Sequence, residues 1–173
     1  MPEDIETLYI LHYPAPVLRC RAESIDKIDQ KVKDVAARMM MLMQEAEGLG
    51  LAAPQIGLSW RMFVARDDPE GGTARVYINP TLENLSPTLV SREEGCLSLP
   101  GINAEILRSQ SATIKARDLD GNEFVLSSDE LLARIWQHEF DHIQGILITD
   151  RMSKIDRLAN RKPLKELVNA SKT

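Results

Sequence analysis

The segment His138-Glu139-Phe140-Asp141-His142 constrains this chain more than any other, because it holds two of the three histidines. On an α-helix, residues four apart lie one turn apart on the same face, with Cβ atoms about 5–6 Å from each other. Leu131, Ile135, His138 and His142 follow one another at spacings of four, three and four residues. The spacing predicts a helix that ends at Gly145 and turns both imidazoles toward the core, where each needs a polar partner.

A metal ion is a partner that suits both imidazoles at once, and Glu139 could then act on a water molecule beside it. A catalytic zinc-type site takes three protein ligands. The residues considered for the third place are His12, Cys20, Cys96 and the downstream carboxylate Glu166. The motif therefore predicts a metal-dependent hydrolase and leaves its third ligand open.

The size of the chain, 173 residues with 43% hydrophobic content, predicts a single domain with a proper core. No apolar run approaches the roughly 18 residues of a membrane helix. The acidic start, residues 1–7, resembles neither a signal nor a transit peptide. Two cysteines are too few for a disulfide framework. We therefore expect a cytoplasmic protein with no membrane association.

Charge is unevenly distributed along the chain. Residues 151–173 contain seven lysines and arginines and two acidic residues, a net charge of +5 within a chain of net charge −5. A basic tail on an acidic body indicates a partner, although a solvated helix face gives the same pattern. We expect residues 1–150 to form one catalytic domain and residues 151–173 to form a basic helical tail.

The predicted fold class is α+β, with mostly antiparallel strands packed around a central helix that carries the histidines. An N-terminal helix is expected from Gln30 to Glu47, ended by Gly48 as the glycine after its cap. The second helix is expected to open with a capping box formed by Ser127 and Glu130. Six strands are expected between these helices, two of them joined by an Asp120-Gly121 turn: Met62–Ala65, Arg75–Ile78, Thr88–Val90, Ala104–Leu107, Ala112–Ala116 and Glu123–Leu126.

Two further stretches carry candidate functional residues. The stretch Gly48–Gly57 has the glycine spacing of a dinucleotide-binding turn, but it follows a helix and contains Pro54, which argues against that reading. Gln55 is its strongest polar side chain and a candidate donor to an oxyanion. In the second stretch, Gly95 beside Cys96 allows close backbone approach to a ligand, although a lone cysteine is more often core filler.

Together, three motifs resemble those of the peptide deformylases: Gly48-Leu49-Gly50-Leu51-Ala52-Ala53-Pro54-Gln55, Glu94-Gly95-Cys96-Leu97-Ser98 and Gln137-His138-Glu139-Phe140-Asp141-His142. They occur in the same order, and the resemblance extends from Tyr9 to about Asp150. It implies an enzyme that removes the formyl group from the N-terminal formylmethionine of new polypeptides.

The resemblance also implies residue roles. Cys96, His138 and His142 would bind the metal, and Glu139 would accept and return the proton of the attacking water. The Gln55 side chain and the Leu97 backbone N–H would stabilise the oxyanion. The metal would be Fe²⁺ in the cell, with Zn²⁺, Ni²⁺ or Co²⁺ possible in a purified sample.

For the substrate, the resemblance implies an extended peptide paired with backbone at Leu49, Gly50 and Gly95. Leu131 and Ile135 are expected to form the wall of an apolar pocket for the methionine side chain. The chain departs from the usual pattern at two positions: Arg134 lies in the pocket-lining helix segment, and Asn103 replaces a basic residue found in many bacterial members.

The expected partners are formylmethionyl nascent peptides and, through the basic tail, the ribosome, whose RNA would attract lysines and arginines. DNA is not an expected partner. Two other hypotheses stay open on the residues alone: a zinc endopeptidase of the H-E-x-x-H type that uses Glu166, and a non-catalytic module that binds metal or peptide.

Overall fold

The computed structural model describes residues 4–68 and 72–172, so the first three residues of the acidic start and Thr173 of the tail lie outside the described part. Seven strands, five α-helices and three short 3-10 helices are described. The strands are β1 (Gly50–Ala52), β2 (Met62–Arg66), β3 (Ala74–Glu83), β4 (Leu89–Glu94), β5 (Ala104–Ser109), β6 (Ala112–Arg117) and β7 (Glu123–Ser128). The α-helices are α1 (Gln30–Glu45), α2 (Leu131–Ile143), α3 (Ile148–Arg151), α4 (Lys154–Ala159) and α5 (Arg161–Ala170), and the 3-10 helices are Ile5–Thr7, Pro16–Arg19 and Ala53–Ile56.

The strands form two antiparallel sheets, which confirms the predicted α+β class. One sheet has five strands in the order β1-β2-β3-β6-β7, and the other pairs β4 with β5. All six predicted strands are present, most of them longer than predicted. The turn at Asp120-Gly121 joins β6 to β7 as expected, with Gly121 at a φ of 85°. Strand β1 was not predicted, because a three-residue strand beside two glycines has no readable alternation.

Two layers of helix cover the five-stranded sheet, and the alternation of side chains along β2 places the two cores. Met62 and Val64 pack with the apolar stripe of α1, whereas Phe63 and Ala65 face the other way and pack with α2. A third core cluster joins β5 to the segment around α3. Helix α2 is therefore held directly against the sheet.

The end of α1 corrects the prediction that Gly48 adopts the left-handed conformation after the helix. Glu47 has that conformation, with φ of 53°, and its N–H donates to the carbonyl of Gln44. The Gly48 N–H donates to the carbonyl of Met43 at 2.8 Å, which completes a Schellman motif one residue earlier than expected. Glycine suits position 48 for another reason: a Cβ there would lie 2.8 Å from Cδ1 of Leu97, so the Leu97 side chain would have to shift.

The start of α2 also differs from the prediction. Ser127 belongs to β7, where its hydroxyl pairs with that of Thr113 on β6, so it forms no capping box. Glu130 is the residue before the first helical residue, and its own N–H donates to the Ser128 hydroxyl at 3.2 Å. The end agrees with the prediction: Gly145 has a φ of 76° immediately after the helix.

Most of the tail forms two short helices, α4 and α5, which are separated at Asn160. Pro163 lies in the first turn of α5, where a missing N–H leaves no hydrogen bond unmade. Leu164 and Leu167 pack on the third core cluster, whereas Leu158 is 69% exposed. In the part of the chain that the structure describes, no helix is long and apolar enough to cross a membrane.

Candidate metal centre

Cys96, His138 and His142 converge at one point beside α2. The Nε2 atoms of the two histidines are 3.2 Å apart, and Cys96 Sγ is 3.3 Å from Nε2 of His142. Ligand atoms from all three residues lie within 4.8 Å of one another. The sequence spacing therefore corresponds to a real cluster of a thiol and two imidazoles.

The other residues considered as a third ligand lie elsewhere. His12 and Cys20 are exposed, and the exposed Glu166 faces Lys162 within its own helix. Among residues 4–68 and 72–172, the cluster of Cys96 with the two histidines is the group found with metal-ligand geometry. The arrangement does not support an endopeptidase site built on Glu166.

Cys96 is positioned by a tight turn that follows β4. Its carbonyl accepts from the Leu99 N–H at 2.9 Å, and the Leu99 carbonyl accepts from the Ile102 N–H at 3.1 Å. Gly95 leaves room for Asn103 at the start of this turn, because a Cβ there would lie 2.9 Å from Oδ1 of Asn103 and would displace that side chain. The turn brings the thiol from the end of a strand toward the histidines of α2.

His138 is oriented by Glu94, a residue that the sequence analysis did not single out. Nδ1 of His138 lies 2.9 Å from Oε2 of Glu94, which leaves Nε2 to face Cys96 and His142. Burial alone would raise the pKa of Glu94, but hydrogen bonds from His138 and Arg108 hold that pKa well below its usual range. An ionised carboxylate on the far ring nitrogen is the usual means of fixing a metal-binding histidine.

Glu94 belongs to a buried network of charges behind the site. Arg108 donates to both oxygens of Glu94, at 2.6 and 2.9 Å, and to Oδ2 of Asp141 at 2.9 Å. Arg151 extends the network at its outer end by donating to Asp141. The side chains of Glu94, Arg108 and Asp141 are each less than 10% exposed. One signal could have indicated this network: Glu94 and Arg108 are charged residues at inward positions of strands.

Glu139 lies next to the cluster and is almost completely buried. It is 3% exposed, and burial raises its pKa to about 7, an effect that the charges of His138 and Arg108 oppose. A Cβ on Gly50 would lie 2.4 Å from Oε1 of Glu139, so glycine is required where β1 passes this carboxyl group. The arrangement can hold a proton at Glu139 near neutral pH.

Gln55 is fully buried, and its amide has a defined orientation. Its Oε1 accepts the backbone N–H of Ala52 at 2.8 Å, which requires the NH₂ group to point the opposite way. Nε2 lies 3.1 Å from the Ser98 hydroxyl and 3.7 Å from Cys96 Sγ. The structure thus places an amide N–H donor beside the thiol. Leu97 follows Cys96 directly and is half-buried.

A cavity of about 410 Å³ opens above the cluster. All the residues proposed from sequence to bind or act on substrate line it: Leu49, Gly50, Gln55, Gly95, Leu97, Leu131, Ile135 and Glu139. Cys96 and His138 also line it, and so do Arg134 and Glu94. We call the group of Cys96, His138 and His142 the metal-type cluster. The cavity therefore connects the metal-type cluster to a partly apolar wall formed by α2.

Comparisons with known proteins agree with this geometry. A sequence model of the family described as polypeptide deformylase matches residues 7–158. A peptide deformylase 1B of Arabidopsis thaliana, chloroplastic/mitochondrial, is 43% identical over 148 residues, which is 84% of this chain and 54% of that protein. A peptide deformylase of Thermotoga maritima is 41% identical over 157 residues, 91% of this chain and 94% of that one.

Solved structures give the same result. A peptide deformylase of Plasmodium falciparum superposes with a TM-score of 0.90 at 36% identity, covering 94% of this chain and 96% of that chain. The chain spans between half and two thirds of the length of three plant relatives, at 54%, 53% and 60%. The match to the family's sequence model, the identity to relatives and the shared fold lead to one conclusion: the chain belongs to the polypeptide deformylase family.

Proposed function

We propose that this protein is a metal-dependent hydrolase that removes the formyl group from the N-terminal formylmethionine of newly made polypeptides. The observation that carries the proposal is the meeting of Cys96, His138 and His142 beside Glu139 on the floor of the 410 Å³ cavity. A linear formyl-peptide end is small enough to enter this cavity, and the groups that hydrolyse an amide line it.

The cluster fits a divalent metal ion. One thiol and two imidazoles are ligand types of catalytic zinc-type sites, and Glu94 fixes the tautomer of His138 so that Nε2 is the ligand atom. A metal ion held there would lower the pKa of water to roughly 7 and so supply a nucleophile at neutral pH. We propose Fe²⁺ as the ion in the cell, and Zn²⁺, Ni²⁺ or Co²⁺ as ions that a purified sample could hold.

The protein's own groups would then handle the proton and the developing charge. Glu139 would take a proton from water and deliver it to the leaving amine, a role that its buried position and raised pKa favour. Nε2 of Gln55 would donate to the oxyanion, because its orientation is already fixed by the bond of Oε1 to Ala52. The backbone N–H of Leu97 would be the second donor.

The peptide would bind by strand addition. Strand β1 lies at the edge of the five-stranded sheet, so the side of Gly50 that faces away from β2 can pair with an incoming strand. Leu49 and Gly95 line the cavity on either side of that edge. Leu131 and Ile135 would form the wall against which the methionine side chain packs.

The direct test is turnover of formyl-Met-Ala-Ser by protein loaded anaerobically with Fe²⁺, with release of the free amine measured. Cys96→Ser is expected to lose both bound metal and turnover, because a serine hydroxyl is a far weaker ligand than a thiolate. Cys20→Ser is the matched control, since Cys20 is exposed and away from the cluster.

Retention of metal and activity by Cys96→Ser would refute the thiol-ligated site and favour the endopeptidase alternative. Absence of turnover by the freshly loaded wild type would favour a metal- or peptide-binding module instead.

We further propose that residues 1–150 form the catalytic domain, with α2 at its centre, and that residues 151–173 are a basic tail that contacts the ribosome. The Nδ2 group of Asn160 donates to the carbonyl of Asn103 at 2.8 Å, which ties the tail to the body. Arg161, Lys162 and Lys165 are exposed and could meet RNA phosphates. The cytoplasmic location also stays a prediction, because the plant relatives are described as organellar proteins.

Charge reversal tests the tail. Replacing Arg161, Lys162 and Lys165 by glutamate should reduce co-sedimentation with ribosomes at low salt and leave turnover of formyl-Met-Ala-Ser unchanged. Arg157 is left intact, because it donates to the carbonyl of Thr149 and so holds the tail in place. The control is a second triple variant, in which Lys27, Lys31 and Arg117 are replaced by glutamate. These residues are exposed on other surfaces, and the change of charge is the same. Equal losses in both triple variants would contradict a specific tail contact.

A further inference from the structure

Arg134 separates two cavities. It lines the main cavity above the metal-type cluster, and it also lines a smaller cavity of about 60 Å³ bordered by Val90, Ser109 and Glu130. Among the described residues, Arg134 is the one that lines both. Leu131, about one turn earlier on the same helix, and the adjacent Ile135 line the main cavity alone.

The guanidinium group of Arg134 is held in place by three acceptors. NH1 donates to Oε1 of Glu94 at 2.6 Å and to the carbonyl of Ile106 at 3.0 Å, and NH2 donates to the carbonyl of Val90 at 2.5 Å. The residue is 8% exposed. Moving the side chain aside would leave a buried carboxylate and two carbonyls without this donor, which is costly. Arg134 is therefore a fixed wall and not a flexible surface arginine.

The positive charge of Arg134 is paired with a buried carboxylate. Arg134 is ion-paired with Glu94 at 2.6 Å, and Arg108, which also bonds to Glu94, has Asp141 as a second acidic partner, so the guanidinium group of Arg134 does not face the main cavity as an unpaired charge. Arg134 lines the main cavity together with Leu131 and Ile135, so its methylene stem can continue their apolar surface. The deep end of the cavity thus suits an unbranched, uncharged side chain of limited length.

We propose that Arg134 is the residue that sets the length of the side chain accepted at the first position of the substrate. The inference rests on the proposed function, because it takes the main cavity as the pocket for that side chain. The space behind the wall has room for about two water-sized groups, so removing the wall would lengthen the pocket by a comparable amount. Arg134 acts on specificity and takes no part in the hydrolytic step.

The test compares substrates of graded length in one reaction, so that the ratio of their kcat/KM values does not depend on metal loading or on the fraction of folded enzyme. Formyl-Met-Ala-Ser is paired with formyl-norleucyl-Ala-Ser, which has the same side-chain length, and with formyl-(α-aminooctanoyl)-Ala-Ser, which is two methylene groups longer. One extra or missing methylene group on a substrate side chain in an apolar pocket changes kcat/KM by about 10- to 200-fold. The wild type should accept norleucine within a few-fold of methionine and the longer side chain at least tenfold less well.

Two variants at the wall separate its bulk from its hydrogen bonds. Arg134→Ala removes both and should raise the relative kcat/KM for the aminooctanoyl peptide at least tenfold. Arg134→Met removes the same hydrogen bonds, but its unbranched side chain still occupies the position of the arginine stem, so its ratio should stay closer to that of the wild type than to that of Arg134→Ala. Leu131→Ala, which widens the main cavity without reaching the smaller one, should not give the gain of Arg134→Ala.

Equal changes of the ratio in Arg134→Ala and Arg134→Met would overturn the proposal, because they would assign the effect to the hydrogen bonds. Equal kcat/KM values of the wild type for the methionyl and aminooctanoyl peptides would also overturn the proposal. This outcome does not depend on whether any variant folds. Absence of wild-type turnover on formyl-Met-Ala-Ser is a different outcome, since it would refute the proposed function itself.

Discussion

The two sides of the metal-type cluster differ in how their polar groups are satisfied. On the inner side, Arg108 donates hydrogen bonds of 2.6–2.9 Å to both Glu94 and Asp141, and all three side chains are buried. On the cavity side, Oε2 of Glu139 is buried and has no hydrogen-bond partner within residues 4–68 and 72–172. One side is a closed network, whereas the other holds a carboxyl group whose hydrogen-bonding capacity is not used by the fold.

The difference indicates which residues position the site and which do its chemistry. A buried polar atom without a partner costs about 1–3 kcal/mol, so a fold keeps one mainly where function requires it. Paired buried charges fix geometry, although they contribute little net stability compared with apolar packing. We therefore expect changes on the cavity side to affect turnover, and changes on the inner side to affect stability and metal affinity.

The largest effect on turnover is expected for Glu139→Ala. Loss of a positioned proton carrier lowers kcat by about 10²- to 10⁴-fold. Bound metal should stay at the wild-type level, because Glu139 is not among the three clustered ligands. The free energy of unfolding should not fall, since an unpartnered buried carboxyl group is removed. Steady-state kinetics, metal analysis and urea unfolding of the same preparation measure the three quantities, and a loss of metal would contradict the comparison.

Gln55→Ala should have the next largest effect. Removal of one oxyanion donor costs about 10²- to 10³-fold in kcat, and KM should change less. Ser98→Ala is a useful companion, because Ser98 contacts the same Nε2 atom at 3.1 Å but is not proposed to touch the substrate. An effect of Gln55→Ala that is confined to KM would place Gln55 in substrate binding instead.

The sequence predicted the cavity side better than the inner side, for a physical reason. The placement of His138, Glu139 and His142 on one helix follows from helix periodicity, which is local and readable in five residues. The inner network joins β4 and β5 to α2 through Glu94, Arg108 and Asp141, and such pairings appear only when distant segments meet. Strand β1 was missed for the same reason, because its extended conformation depends on pairing with β2.

Glu94→Gln tests the inner side. The change leaves Arg108 and Arg134 bonded to a neutral amide in place of a carboxylate, and breaking a buried charge pair destabilises a protein by about 3–5 kcal/mol. Weaker orientation of His138 should also reduce metal affinity by about 10- to 100-fold. Urea unfolding and metal titration measure the two effects.

Glu105→Gln is the matched control for Glu94→Gln, since Glu105 lies on the same two-stranded sheet but is exposed and accepts a hydrogen bond from Ser91. If Glu94→Gln left stability and metal affinity unchanged while lowering kcat alone, the division between the two sides of the site would be wrong.

The smallest effect is expected at the rim of the inner network, with Arg151→Ala. Arg151 bonds to Asp141, as Arg108 does, but its side chain is 40% exposed, so water can replace its contact. Solvent-exposed ion pairs contribute about 0–1 kcal/mol, and Asp141 would keep its buried partner Arg108. Unfolding in urea should therefore show a loss of at most about 1 kcal/mol, with metal affinity unchanged. A loss of unfolding free energy as large as that of Glu94→Gln would contradict this expectation. It would mean that the exposed ion pair of Arg151 contributes as much to stability as the buried pairs of the network.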